Sequence, residues 1–196
     1  QALMGGITVL THLNPWAVAA HFVLSMLLVA SATVLWWRAR DSDDARTSPL
    51  FAPLPPLLRS LAWAAWALTF VVFAAGTVVT GSGPHAGDAS AKRIGIKPET
   101  ISQLHADLVM LLVGLAIALA VAVTAVGAAP AARTTTRLLV AALVLQAAIG
   151  FAQYFDKLPI GLVELHMVGA ACIAVAATAV VVAAGQSRAN PQAPET

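Results

Sequence analysis

Of the five histidines in this sequence, His21, His105 and His166 fall in strongly apolar surroundings, whereas His12 and His85 fall in polar ones. A titratable ring held at membrane depth is costly and by default marks a functional site. The chemistry open to such a set is narrow. There is one cysteine, Cys172, so neither an internal disulfide nor a cysteine-rich metal site can form. Neutral imidazoles alone, in a dry bundle without paired carboxylates, suit haem iron better than zinc or a hard cation. The plainer alternative is three unrelated histidines, each bonded to a neighbouring carbonyl. It must place all three at one depth by coincidence, as the elements around them show.

Those elements are membrane spans. Hydrophobic residues make up 59% of the 196 and charged residues 10%, against roughly 25% charged in an ordinary soluble domain. A span needs about 20 apolar residues, and the uncharged stretches 15–37, 60–87, 108–132, 138–155 and 165–187 provide five. The net charge of +2 comes from scattered connector residues rather than a basic face, which excludes nucleic acid as a partner. Helices are expected at about 15–38, 58–80, 99–126, 134–155 and from a tight turn at 156–161 to about 184. Gly127 and Pro130 part the third from the fourth. Residues 1–10 read as the end of a helix begun upstream, because the chain is apolar from its second residue. His21, His105 and His166 each follow the start of their helix by about six residues, which at 1.5 Å per residue is roughly 9 Å below one boundary.

The first twenty-one residues repeat 145 positions later without a gap: Gln1, Ala2, Gly5, Leu13, Val18 and His21 match Gln146, Ala147, Gly150, Leu158, Val163 and His166. Both copies run helix end, proline turn (Pro15, Pro159), histidine. Two similar four-helix units follow. His105 and His166 clamp one iron within the unit at 58–185, and His21 belongs to the other, with its partner upstream. Gly169 and Ala170 are expected to leave room for a flat macrocycle beside His166. Asp107 and Glu164, each two positions from a histidine, should face away from the iron, bonding loop groups or each other. Cys172 reads as a small buried packing residue. His12, His85, Lys92, Arg93 and Lys97 read as solvated loop groups, the last three on the side where haem propionates would point.

Several ordered motifs resemble those of the bacterial haem A synthases: GGITVLTHLNPWAVAAHF (5–22), TGSGPHAGD (80–88), LHADL (104–108) and LPIGLVELHMVGA (158–170). The resemblance implies eight membrane helices in two similar halves, each with a bis-histidine haem site towards the outer face. It implies oxidation of the C8 methyl of haem O to a formyl group, giving haem A for terminal oxidases. By position, His105 and His166 match the ligands of a haem B in the C-terminal half, and His21 matches the second ligand of the half that holds substrate haem O and product haem A. The family's catalytic acid lies three residues before the first histidine of its N-terminal half, outside this sequence. Ser102 stands at that offset before His105. Its first-loop cysteine pair is likewise outside.

The reading is thus an all-α membrane protein. A transmembrane four-helix bundle (58–185) follows the last helix of a preceding, homologous half (1–38), with a connector at 39–57 and a polar tail at 186–196. No catalytic residue is expected within this stretch, which by itself should be inactive in haem A synthesis although its longer parent should not. Expected partners are haem O, haem O synthase, oxidase assembly proteins and membrane lipid. Two other classes remain open: a bis-histidine haem B electron-transfer protein of cytochrome b type, and a haem-free transporter or scaffold. A reduced-minus-oxidised spectrum separates the last from the others.

Alternate connectors hold seven Lys and Arg (Arg38, Arg40, Arg46, Arg59, Arg133, Arg137, Arg188) against four (Lys92, Arg93, Lys97, Lys157). The richer side faces the cytoplasm, with the C-terminus there and the haem-bearing ends outward. Trp36, Trp37, Trp63 and Trp66 form a belt at the inner boundary. In a Cys172-free background, a cysteine at Ser90 should react with an impermeant thiol reagent on intact cells and one at Ser48 should not. The reverse labelling would invert the topology.

Overall fold

A computed structural model describes residues 1–40, 54–84 and 91–185. Its described residues form six helices and no strands: α1 (Ala2–Leu10), α2 (Pro15–Arg40), α3 (Pro56–Ser82), α4 (Pro98–Ala125), α5 (Pro130–Phe155) and α6 (Ile160–Gly185). The last five are long and apolar enough to cross a membrane. Leu104, Met110, Leu111, Val121, Leu138, Leu145 and Val168 are all about half exposed or more. So much outward apolar surface belongs in lipid, and the protein is a multi-pass, all-α membrane protein.

Local chemistry sets the boundaries. Pro56, Pro98 and Pro130 occupy first-turn positions of α3, α4 and α5, where the missing N–H costs nothing. Gly127 ends α4 in the left-handed conformation, φ 64°, and Ala128 N–H donates to Val123 O at 2.9 Å, the glycine stop expected of a helix C-terminus. Helix α5 therefore starts at Pro130, four residues before the expected 134: the proline opens the next helix as well as closing the loop. The connector at 41–53, the loop residues 85–90 with His85, and the tail at 186–196 lie outside the described residues.

Burial follows a 4,3,4 spacing along each of four helices. It takes in Leu58, Ala62, Ala65, Thr69 and Val72 on α3; Leu112, Ala116, Leu119 and Val123 on α4; Ala132, Thr136, Leu139 and Leu143 on α5; and Ala170, Ile173, Ala177, Val180 and Ala184 on α6. This is the seam of a left-handed bundle. Its many alanines let backbones approach closely, as membrane bundles require. Helices α3, α4, α5 and α6 pack in a ring in which α4 and α6 each touch α3 and α5 and so stand on one diagonal. Helix α2 lies outside the ring against α3 and α6, with α1 on it. An edge-to-face contact between Phe22 and Phe73, centroids 6.1 Å apart, pins α2 to α3.

Trp36 and Trp63 are more than half exposed, as belt residues are. Trp66 is half-buried instead, donating through Nε1 to Thr178 Oγ1 at 3.1 Å, so it ties α3 to α6. Thr178→Val should therefore lower stability by about 0.6 kcal/mol, the mean for such bonds in membranes, and by no more than about 1.7. Denaturant titration in detergent measures the change, and an unchanged midpoint would remove this bond from the account of α3–α6 packing.

Candidate functional site

The ring's packed core closes below the histidines. On α4, nothing between Ile101 and Leu112 is buried; on α6, burial begins at Ala170; on α5, it ends at Leu143. His105 and His166 enter this more open level, half-buried, from the diagonal helices α4 and α6. Among the sequence-predicted residues these two share the four-helix ring. His21 stands on α2, outside the ring, and is also half-buried.

All three rings are seated in the same way, each against a glycine on the helix that precedes its own. A Cβ on Gly76 would lie 3.2 Å from His105 Cε1, one on Gly150 3.2 Å from His166 Cε1, and one on Gly5 3.5 Å from His21 Cε1. The Nδ1 atoms of His21 and His166 are buried without a hydrogen-bond partner; the His105 ring, whose Nδ1 is also buried, lies towards the backbone of Val72 on α3. The glycine notch thus sets one edge of each imidazole against the backbone of the preceding helix.

The hairpins carrying His21 and His166 are copies in detail. Helices α2 and α6 start 145 residues apart and have the same 26-residue length. The turns before them hold His12 and Leu13 at φ 52° and 55°, and Lys157 and Leu158 at φ 60° and 61°. Thr11 N–H donates to Ile7 O and Asp156 N–H to Ala152 O, both at 2.9 Å, and Leu13 N–H to Thr8 O as Leu158 N–H to Gln153 O, at 2.9 and 2.7 Å. Side-chain-bearing residues in the left-handed region cost about 1 kcal/mol or more each and persist only where the surroundings fix them.

Three expectations change. Gly169 leaves no room for a macrocycle, because the amide of Gln146 lies over it, and an added Cβ would collide with Gln146 Oε1. Cys172 is exposed, not buried, since that face of α6 lies away from the seam. Asp107 and Glu164 do not meet: both are exposed, and Asp107 Oδ1 accepts from Gln103 Nε2 of its own helix at 2.7 Å. The loop after α3 returns over its end, with Ile94 N–H donating to Gly81 O at 2.9 Å and Arg93 Nη2 to Pro84 O at 2.9 Å. Lys92, Lys97 and His12 are exposed. Sequence reasoning did not single out the notch glycines as seats. Gly5 and Gly150 were visible as repeat identities, whereas nothing in the sequence distinguished Gly76.

Two imidazoles within the four-helix ring is a telling number. Among the described residues no three His, Cys, Asp or Glu side chains gather as a metal-ion group, whereas tetrahedral zinc sites take three or four protein ligands. A haem brings its own four equatorial nitrogens and asks the protein for one axial donor on each side. Buried polar atoms without partners cost about 1–3 kcal/mol each. Two half-buried imidazoles with buried Nδ1 atoms, on the diagonal helices of one ring, fit that demand.

The chain matches the family COX15-CtaA, described as cytochrome oxidase assembly protein, over residues 1–178. No curated protein and no solved structure matches it.

The notches predict a graded response to methyl addition. Gly114 has open space around its Cβ position, so Gly114→Ala should stabilise α4 by up to about 1 kcal/mol through helix propensity. Gly76→Ala and Gly150→Ala should gain less or lose stability, because the histidine ring must move, and Gly5→Ala should fall between. Thermal midpoints of the four variants check the order; equal gains at all four would mean that the rings do not press on the glycines.

Proposed function

We propose, from the premise that this chain belongs to the COX15-CtaA family of cytochrome oxidase assembly proteins, that it contributes to oxidation of the C8 methyl of haem O to the formyl group of haem A. In this reading residues 58–185 form the haem B-bearing unit, with His105 and His166 as axial ligands, and His21 serves the neighbouring site of the substrate and product haem. The observation that carries it is the diagonal pair: two half-buried imidazoles on α4 and α6, each set by one edge in a glycine notch on the preceding helix.

The side chains divide the work in a simple way. Haem B, when bound, supplies an iron that exchanges electrons, with its potential set by ligands and surroundings. His105 and His166 would hold that haem by its iron, and with two protein donors on the metal it would exchange electrons rather than bind oxygen or substrate. Gly76 and Gly150 fix where the two rings stand. The apolar walls of α3–α6 keep water from the site and lower its dielectric. Ser102, at the offset of the family's catalytic acid, offers no carboxylate as a base near His105, which favours electron transfer over methyl oxidation in this unit. Helices α2, α4 and α6 enter from the outer side, and the haem O synthase and oxidase assembly proteins share the membrane.

His105→Ala and His166→Ala should each abolish the low-spin haem signal of the purified protein or convert it to high-spin. In the native host, either replacement in the gene should lower membrane haem A at least tenfold. If both variants keep the wild-type spectrum, the ligand assignment is wrong. Lost low-spin signal with haem A unchanged would leave a haem B protein outside haem A synthesis.

A further inference from the structure

Gln146 lies on α5 one turn before the notch glycine Gly150, at the contact with α6. Its Nε2 donates to the backbone carbonyl oxygen of His166 at 2.7 Å. To reach that carbonyl the amide must pass over Gly169, where a Cβ would stand 3.4 Å from Nε2, 2.9 Å from Cδ and in collision with Oε1. The absence of a side chain at Gly169 is therefore what admits the glutamine. From a single face of α5, residue 146 holds the backbone of His166 while residue 150 seats its ring.

The same device recurs in the other copy. Gln1 Nε2 lies 3.4 Å from His21 O and donates to Ser25 Oγ at 2.6 Å, while Ser25 Oγ donates to His21 O at 2.8 Å. Gly5 seats that ring. On α3, by contrast, the position four residues before Gly76 is Val72, which has no side-chain donor. His105 has a notch without a clamp; His166 and His21 have both.

We propose that Gln146 is a positioning residue for His166, fixing the rotation and height of α6 so that the imidazole meets its metal at a set angle. The proposal rests on the reading of His166 as a haem ligand. Rotation of α6 about its own axis would swing the ring, and ring seating alone cannot resist it, because Gly150 offers only a contact surface. A donor bonded to the carbonyl of the same residue, from the neighbouring helix, resists it directly.

The test uses the purified full chain with Gln146→Met, Gly169→Ala and the double variant, read by low-spin electron paramagnetic resonance, midpoint potential and thermal unfolding. Each single variant should keep haem but shift the low-spin signal and the potential, and lower the unfolding midpoint. The double variant should change no further than the larger single one, since both break one contact. Thr178→Val, which breaks an α3–α6 bond elsewhere, should lower the midpoint and leave the low-spin signal in place. Unshifted signals in both single variants, additive shifts in the double, or an equal shift from Thr178→Val would each overturn the positioning role. Should His166→Ala itself leave the spectrum unaltered, the ligand reading falls first. Loss of the signal in His166→Ala with no effect at Gln146 removes only the clamp.

Discussion

An imidazole at membrane depth has two nitrogens that water cannot serve, and each must be bonded, coordinated or left at a cost comparable to a hydrogen bond. Around His166 and His21 the chain leaves the buried Nδ1 without a partner, and beside His105 it offers the backbone of Val72. Each Nδ1 edge is pressed into a glycine notch on the preceding helix. The two ring histidines stand on α4 and α6, which share the neighbours α3 and α5 but make no close backbone approach to each other.

Below that level the bundle does the opposite and fills itself. Leu112, Ala116, Leu119 and Val123 on α4 belong to one buried cluster with Leu139, Leu143, Ile173 and Ala177, all with almost no exposed surface. Its buried threonines bond their own helices: Thr69 Oγ1 donates to Ala65 O at 2.8 Å and Thr136 Oγ1 to Ala132 O at 2.5 Å. A closed floor gives the histidine level something rigid to stand on. The exposed apolar shell adds no strength in water and is meant for lipid.

The duplicated hairpin links these features. Its two copies share turn torsions, turn hydrogen bonds, the notch glycine and the glutamine four residues before it. Such agreement in backbone detail is more than six identities in twenty-one apolar residues could establish. It describes one supersecondary unit, a helix that seats and a helix that presents, used twice with the same handedness. The α3–α4 pair reaches the same ring seating through a long polar loop instead of a tight turn, with Gly76 as its notch and Val72 in place of the glutamine.

The spans, the all-helical class and the family were legible in the sequence by itself. Each depends on local composition or on residue counts along a helix of fixed rise. Even the split between α4 and α5 was written in Gly127 and Pro130, although the second helix begins at the proline rather than after it. Tertiary structure alone decided which side chains face each other. Gly169 looked like space for a cofactor, and only the packing of α5 on α6 shows the Gln146 amide lying there. Asp107 and Glu164 were expected to face away from the histidine site and to bond loop groups or each other; both are exposed, and Asp107 bonds Gln103 of its own helix instead. Gly76 looked like any glycine in an apolar run until α4 was laid against it. Depth along a helix follows from counting, but what lies opposite depends on the rotation and diagonal placement of neighbouring helices, which are set by the packing of the whole ring.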